Sequence, residues 1–120
     1  MNSAKLLRAH QAQVQETDWG RLTWFASGKL GNSGTMTMGR CLIRPGQANP
    51  RHSHPNCEEV LHVLAGRISH TLDGRQEVEL SVGDTIAVPP NLVHNARNIG
   101  AEDAVLAICF SSPDCQTRGE

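Results

Sequence analysis

Glycine, proline and asparagine residues interrupt the chain every eight to twelve residues from Leu22 onward, and the intervening runs are short and rich in β-branched side chains. Runs of this length leave no room for long helices, and their regular spacing is typical of a β-sandwich or barrel. We therefore predict an all-β fold built from antiparallel strands. The predicted strands are residues 22–26, 35–44, 59–64, 67–72, 76–80, 85–88, 94–98 and 104–110.

The turns between these runs have recognisable residues. The dipeptide Asp73-Gly74 lies between two alternating runs and supplies the positive-φ positions of a tight hairpin turn. The other predicted breaks contain Pro, Gly, Asn or Asp, and they fall at residues 45–46, 81–84, 89–91 and 100–103.

A chain of 120 residues can bury one hydrophobic core but not two. We expect one barrel over residues 21–113, an N-terminal arm over 1–20 and a C-terminal tail over 114–120. Residues 4–16 could form an amphipathic helix around Leu6, Leu7 and Val14, or an arm that lies across another surface.

Composition excludes several functions. Eleven basic and twelve acidic side chains give a net charge of −1, so no broad positive field exists to bind nucleic acid. The chain has six His but no Tyr, so any mechanism that needs a phenol is excluded. Residues 1–15 lack the apolar stretch of a secretory signal, and the longest apolar run, 104–110, is too short to span a bilayer.

The cysteines at positions 41, 57, 109 and 115 show no paired zinc-binding spacing and no C-x-x-C motif. We therefore expect a reduced, cytoplasmic chain in which they serve as small apolar fillers or inert thiols.

Met36 and Met38 share one strand face and are expected to fill the core. The run from Val60 to Leu64 is apolar on both strand faces, which predicts that a second subunit covers one of them and that the protein is a homodimer.

One stretch of the sequence carries the spacing of a metal site. His52 and His54 are two residues apart, so on an extended segment both imidazoles point to the same side. Glu59 has the opposite parity, and its carboxylate can join them only if the chain turns between, which Pro55-Asn56 allows. His94, after the break at 89–91, is the candidate fourth ligand. Three imidazoles and one carboxylate suit Fe(II), Mn(II), Ni(II), Cu(II) or Zn(II), with room for a substrate.

The two stretches resemble the two motifs of the cupin superfamily, small β-barrels that surround a metal. The first runs from Gly46 to Gly66 and the second from Gly83 to Asn98. The resemblance implies a double-stranded β-helix of jelly-roll type, with turns at Gly66 and Gly83. It places the metal ligands on His52, His54, Glu59 and His94. Asn91 departs from the usual Gly of the second motif, but Asn tolerates a left-handed backbone best among the other residues.

Two further residues, His70 and Arg40, are candidates for substrate contacts, and a third, His62, is placed outside the site. His70 alternates with Ile68 and Leu72 on the core-directed face, so it could bind substrate, although a hydrogen-bonded core histidine is the alternative. Arg40 could clamp a substrate carboxylate if buried, whereas an exposed edge position is the alternative. His62 lies three residues after Glu59 and is expected to face away from the metal.

Two functions follow as hypotheses. The first is a metal-dependent enzyme of dioxygenase, isomerase or lyase type that chelates a small oxygenated or carboxylate-bearing molecule. The second is a binding module that captures a sugar or carboxylate without turnover. The fold implied by the resemblance does not choose between them.

Overall fold

The fold comes from a computed structural model that describes residues 3–73 and 75–120. Within those ranges the regular secondary structure is all strand except for one 3₁₀ turn at Ala9–Gln11. The strands are β1 (Gln13–Glu16), β2 (Gly20–Ala26), β3 (Thr37–Ile43), β4 (His52–Ser53), β5 (Glu59–Ala65), β6 (Ile68–Leu72), β7 (Gln76–Leu80), β8 (Thr85–Val88), β9 (His94–Asn98), β10 (Ala104–Phe110) and β11 (Arg118–Gly119). No helix in the described ranges has the length and apolar character needed to cross a membrane.

The strands form two antiparallel sheets, which confirms the predicted fold class. The larger sheet has the order β1-β2-β3-β10-β5-β8, and the smaller has the order β11-β4-β9-β6-β7. All eight strands predicted from the sequence are present, with ends shifted by a few residues at most. The predicted strand 35–44, for example, is shorter in the structure and starts at Thr37.

The core lies between the two sheets, and the alternation of side chains along the strands explains its composition. In β10 every second residue from Ala104 to Phe110 is buried, while the residues between are half-buried on the other face. Ile43 and Val63 from the larger sheet and Ile68 from the smaller sheet are all fully buried. Burial of such side chains, at roughly 1.5–3 kcal/mol each, is the main source of stability in a domain of this kind.

Three turn residues, Asn91, Gly66 and Asp73, have the positive φ angles that the sequence predicts for them. Asn91 has φ 71° and Gly66 has φ 81°, so both lie in the left-handed region. Gly66 is also required for space, because an added Cβ would lie 2.8 Å from the Cα of Ala104. Asp73 has φ 57° at the turn between β6 and β7. The other half of the predicted hairpin turn, Gly74, lies outside the described residues.

The helix alternative for residues 4–16 and the placement of Met36 and Met38 in the core were wrong, whereas a short N-terminal arm is present. The N-terminal segment forms no α-helix: a short 3₁₀ turn leads into β1, which pairs with β2 through Val14 and Thr23. Val14 is 57% exposed and Leu6 71% exposed, so neither side chain is part of the core. Met36 and Met38 do not fill the core either, since they are 46% and 43% exposed. The alternation of β3 buries Thr37 and turns Met38 to the outer face of the larger sheet.

The C-terminal residues also take part in a sheet. Arg118 pairs with Ser53 and Gly119 pairs with His52, which places β11 at the edge of the smaller sheet beside β4. The boundaries of arm, barrel and tail at residues 20 and 113 stay a prediction, but residues on both sides of that core region form strands with it.

Candidate metal centre

Four predicted ligands come together because of where their strands start. His52 begins β4 and pairs directly with His94, the first residue of β9. His54 follows β4, the chain then turns at Pro55-Asn56, and Glu59 begins β5. On one continuous strand Glu59 would point to the opposite side from His52 and His54. The turn redirects the chain before Glu59, so its carboxylate can face the two histidines. One ligand atom from each of the four side chains lies within 4.8 Å of those from the other three.

The carboxylate of Glu59 is at the centre of this group. Its Oε1 atom lies 3.2 Å from Nε2 of His54 and 3.3 Å from Nε2 of His94. The ring of His52 is 4.8 Å from that of His54 and 4.5 Å from that of His94, measured between centroids. His54, Glu59 and His94 are all less than 7% exposed, and His52 is half-buried. Several potential ligand atoms therefore converge on a small volume with limited access to water.

The converging atoms lack hydrogen-bond partners within the described part of the protein. Nε2 of His54, Nε2 of His94 and Oε1 of Glu59 are buried without one. Buried polar atoms in folded proteins are nearly always hydrogen-bonded, so three unpaired atoms aimed at one another need a partner of another kind. A divalent cation accepts electron pairs from all of them at once, so the residues fit such an ion.

Neighbouring carbonyl groups hold two of the imidazoles in the orientation that ligation requires. Nδ1 of His52 lies 2.7 Å from the carbonyl oxygen of Pro50, and Nδ1 of His54 lies 3.0 Å from that of Gln116. A carbonyl can only accept, so Nδ1 carries the proton and donates in both cases. The Nε2 lone pair of each ring is then free to bind a metal, as is usual for histidine ligands with an outer partner.

Burial determines the charge of these histidines. Burial first, and then the like charges of His52, His70 and His54, together lower the pKa of His94 from 6.5 to about 3. Burial also lowers the pKa of His52. His54 is the exception: burial opposes its charging, but the carboxylate of Glu59 outweighs this, and its pKa is raised. His52 and His94 are therefore neutral at pH 7, which is the form that binds a metal.

His70 is fully buried and lies behind the candidate ligands. Its Nε2 is 3.1 Å from Nδ1 of His94, and its Nδ1 has no hydrogen-bond partner among the described residues. Burial lowers its pKa, so the ring is neutral. The inward direction predicted from the strand alternation is correct. This position is compatible with both alternatives from the sequence. The contact with His94 fits a hydrogen-bonded core histidine, and the place of the ring in the lining of the cavity described next fits a substrate contact.

The four candidate ligands line a cavity of about 460 Å³. Its other walls are largely apolar, with aromatic and aliphatic side chains supplied by β2, β10 and the segment before β2. The principal ones are Trp19, Leu22, Trp24, Leu106, Ile108 and Phe110. The cavity thus combines a polar cluster that fits a cation with a wall suited to hydrocarbon or ring surfaces.

Two other residues lie outside this cavity. Arg40 is exposed on the outer face of β3, and its guanidinium carbon lies 5.4 Å from the centre of the Phe25 ring. The structure leaves Arg40 exposed and away from the metal cluster, so it is not the buried carboxylate clamp considered from the sequence. The position is not at a sheet edge either, because β3 lies between β2 and β10. His62 is on the outer face of β5, where its Nδ1 lies 2.7 Å from Oγ1 of Thr85. It faces away from the cluster, as expected.

Sequence reasoning missed the contribution of the C-terminal segment. Cys115 and Thr117 line the cavity, and both approach Nδ1 of His54, at 3.4 Å each. Sγ of Cys115 also lies 2.9 Å from Sγ of Cys57. Positions 57 and 115 are far apart along the chain, and no motif connects them. This contact therefore had no signal in the sequence.

The fold and the site together define a class: a small β-barrel of two antiparallel sheets with a cluster of three histidines and a glutamate inside. The cupin domain family matches residues 39–110, and the chain belongs to this family, which confirms the resemblance seen in the motifs.

Relatives and solved structures agree with that assignment. Germin-like protein 3-8 of Oryza sativa subsp. japonica is 35% identical over 81 residues, which cover 64% of this chain and 36% of that protein. The Lactobacillus farciminis oxalate decarboxylase formate complex superposes with a TM-score of 0.83 at 20% identity, over 92% of this chain and 34% of the enzyme. Bacillus subtilis oxalate decarboxylase, in a structure concerned with its Mn(II) centres, superposes with a TM-score of 0.81 at 24% identity. This superposition covers 89% of this chain and 29% of the enzyme. The chain thus spans only about a third of these proteins, and the two decarboxylases show the fold alone.

Proposed function

We propose that this protein is a metal-dependent enzyme acting on a small molecule with an oxygen-bearing group, such as a carboxylate, and an apolar body. The observation that carries the proposal is the convergence of His52, His54, Glu59 and His94 in one cavity with unpaired buried ligand atoms. A divalent ion held there would act as a Lewis acid on the oxygen-bearing group of the substrate.

The ligand set limits the choice of metal. Three imidazoles and one carboxylate bind Mn(II), Fe(II), Ni(II), Cu(II) and Zn(II), and they leave coordination positions for a substrate. Mn(II) is the first ion to test, since a structural neighbour, Bacillus subtilis oxalate decarboxylase, has Mn(II) centres.

The cavity narrows the class of substrate. A volume of about 460 Å³ lies within the usual range of small-molecule sites. Oxalate has no apolar part, so it would leave the walls formed by Trp19, Trp24 and Phe110 without a contact. We therefore propose a substrate whose oxygen-bearing end reaches the metal while a hydrocarbon or ring portion lies against these side chains. His70, at the wall behind His94, is the proposed further contact.

The reaction belongs to the dioxygenase, isomerase or lyase classes in this proposal. Among protein groups in the cavity, the thiol of Cys41 is unsuited to proton transfer near neutral pH, because burial and Glu59 raise its pKa to about 12. His70 is the neutral imidazole of the cavity that lies outside the ligand cluster, so it is the first candidate for a proton acceptor.

Metal content is the first test. Protein made without a purification tag is loaded with each divalent ion in turn, desalted and measured by mass spectrometry of the metal. We expect close to one equivalent in the wild type and less than about a tenth in His52→Ala and His94→Ala, because each loses one ligand. The matched control is His62→Ala, which removes an imidazole on the outer face. A wild-type protein below a tenth of an equivalent under metal-replete conditions would rule out the proposal.

Activity separates the enzyme from a binding module. The metal-loaded protein is offered carboxylates of equal charge and increasing apolar size, and both binding and product formation are measured. Turnover that rises with the apolar portion, and falls in Phe110→Ala, supports the enzyme. Tight binding with no product from any of them favours the second hypothesis, capture without turnover.

We also propose that the protein is a homodimer. The outer face of the central strands of the larger sheet carries a row in which Met38 of β3, Cys109 of β10 and Val60 of β5 are adjacent. Val60 and Leu64 are 38% and 50% exposed. A second copy of the same apolar face would cover these side chains in a two-fold symmetric contact, and the net charge of −1 offers little repulsion between copies.

The oligomeric state tests this part directly. Sedimentation equilibrium of the wild type should give twice the mass of one chain, and Val60→Glu should shift it to the monomer. Val82→Glu is the control, because Val82 is 63% exposed but lies in the loop before β8, outside this face. A monomeric wild type at about 100 µM would contradict the dimer.

A further inference from the structure

We infer that Cys57 and Cys115 form a disulfide bond that attaches the C-terminal segment to the wall of the candidate metal centre. Their sulfur atoms are 2.9 Å apart, only about 0.9 Å more than the ~2.05 Å length of a disulfide bond. Both cysteines are free thiols in the structure. The spacing of cysteines in the sequence indicates a reduced chain, and this proximity arises only from the fold.

Hydrogen bonds on both sides of the pair hold the two sulfurs at this distance. Asn56, the neighbour of Cys57, donates from Nδ2 to the carbonyl oxygen of Asp114 at 2.8 Å. Its Oδ1 accepts from the backbone N–H of Gln116, also at 2.8 Å. One side chain beside Cys57 therefore contacts the residue on each side of Cys115. Bond formation then requires little backbone movement, a condition that engineered disulfides often fail to meet.

The oxidant in this proposal is a low-molecular-weight disulfide, and it reaches the pair through the cavity. Cys115 is half-buried and lines the cavity, whereas Cys57 is only 2% exposed. Burial raises the pKa of Cys115, so only a small thiolate fraction exists near neutral pH and the exchange is slow. That thiolate attacks the small disulfide, forms a mixed disulfide and releases one small thiol. The thiolate of Cys57 then displaces the second small thiol and forms the protein disulfide. The two protons lost by the cysteines are carried away on the two small thiols, and one disulfide is exchanged for another.

The bond would act on the candidate metal centre through His54. The carbonyl oxygen of Gln116, next to Cys115, accepts the hydrogen bond from Nδ1 of His54 and so orients Nε2 toward Glu59. Fixing Cys115 fixes this acceptor. Outer partners of histidine ligands typically change metal affinity about 10–100-fold when removed, so the attachment should slow the release of a bound metal. This consequence rests on the proposed metal site, whereas the disulfide itself does not.

Peptide mapping tests the disulfide. Full-length protein is equilibrated with oxidised glutathione, the remaining thiols are alkylated, and protease fragments are identified by mass spectrometry. We expect the linked Cys57–Cys115 fragment as the main product in the wild type and in Cys109→Ser, and its absence in Cys115→Ser. In Asn56→Ala the equilibrium constant for forming the linked form with glutathione should fall about tenfold, because two hydrogen bonds that position the pair are lost. Separate alkylation of both cysteines in the oxidised wild type would overturn the proposal. So would uptake of Zn(II) by the two thiols and His54 with no linked fragment.

Metal release provides a second readout with its own outcome. The metal-loaded protein is mixed with excess chelator before and after reduction, and the rate of metal loss is followed. We expect the reduced wild type, and Cys115→Ser in either condition, to lose metal about tenfold faster than the oxidised wild type. If metal is lost at equal rates before and after reduction although the linked fragment is present, the coupling to His54 is refuted and the disulfide itself still stands. A protein that binds no metal at all would refute the proposed function, and the peptide map would still decide the disulfide.

Discussion

Acidification of the metal-free protein should destabilise it through His94. Burial, followed by the like charges of neighbouring histidines, lowers the pKa of His94 from 6.5 to about 3 in the folded state. The unfolded chain therefore binds a proton at this residue near pH 6.5, while the folded chain does not. The unfolded state holds more protons between these two values, so stability present above pH 6.5 is lost as the pH falls below it.

The expected loss follows from the two pKa values. Between about pH 7.5 and pH 5, a shift from 6.5 to about 3 corresponds to about 2 kcal/mol of unfolding free energy. His52 and His70, whose pKa values are also lowered by burial, act in the same direction, and the raised pKa of His54 opposes them. With an m value of ~1.5 kcal/mol/M, 2 kcal/mol lowers the urea midpoint by about 1.3 M.

Urea unfolding followed by tryptophan fluorescence measures this loss. The protein is treated with chelator, and the midpoints at the two pH values are compared for the wild type, His94→Gln and His10→Gln. His10 is exposed in the N-terminal segment, so its variant should keep the wild-type pH dependence. His94→Gln should lose about 2 kcal/mol less than the wild type on acidification. If both lose the same amount, burial of a neutral His94 is not the source of the acid sensitivity.

Three further substitutions test the outer contacts of the site and the turns. His70→Phe removes the imidazole that lies 3.1 Å from Nδ1 of His94, and metal titration should show an affinity about 10–100-fold weaker; unchanged affinities for both metal and substrate would refute any role in the site. Gly66→Ala should destabilise the protein by about 3 kcal/mol in urea unfolding, because its Cβ would lie 2.8 Å from the Cα of Ala104 and its φ is positive. Gly46→Ala also has a positive φ but open space around it, so it should lower the unfolding free energy by only about 1 kcal/mol. Equal losses in the two glycine variants would contradict the packing argument.

Local patterns in the sequence were sufficient for most of the fold and for the placement of the candidate ligands. Strand alternation placed His70 inward and His62 outward, and the two-residue spacing of His52 and His54 put both imidazoles on one side. The same alternation failed for Met38, because it gives two faces without saying which of them is covered. The hydrophobic character of Met38 favoured the core, whereas the pairing of β3 in the sheet turned its side chain to the outer face.

The C-terminal segment shows what a local pattern cannot supply. Its position beside His54 depends on contacts between residues about 60 positions apart, such as Asn56 with Asp114 and Gln116. No periodicity or motif records such long-range contacts. The helix alternative for the N-terminal segment was wrong for a related reason: the edge of β2 offered backbone partners to β1, and pairing there decided its conformation.

Three of the four candidate ligands lie in strands, and these three are divided between the two sheets. Glu59 lies in the larger sheet, while His52 and His94 lie in the smaller one. An ion bound to all of them would join the two layers of the sandwich through a single atom, and separation of the layers would release it. Each tenfold rise in free metal above the dissociation constant would then add about 1.4 kcal/mol to the unfolding free energy. Metal supply in the surroundings would therefore set the stability of the folded chain as well as the occupancy of the site.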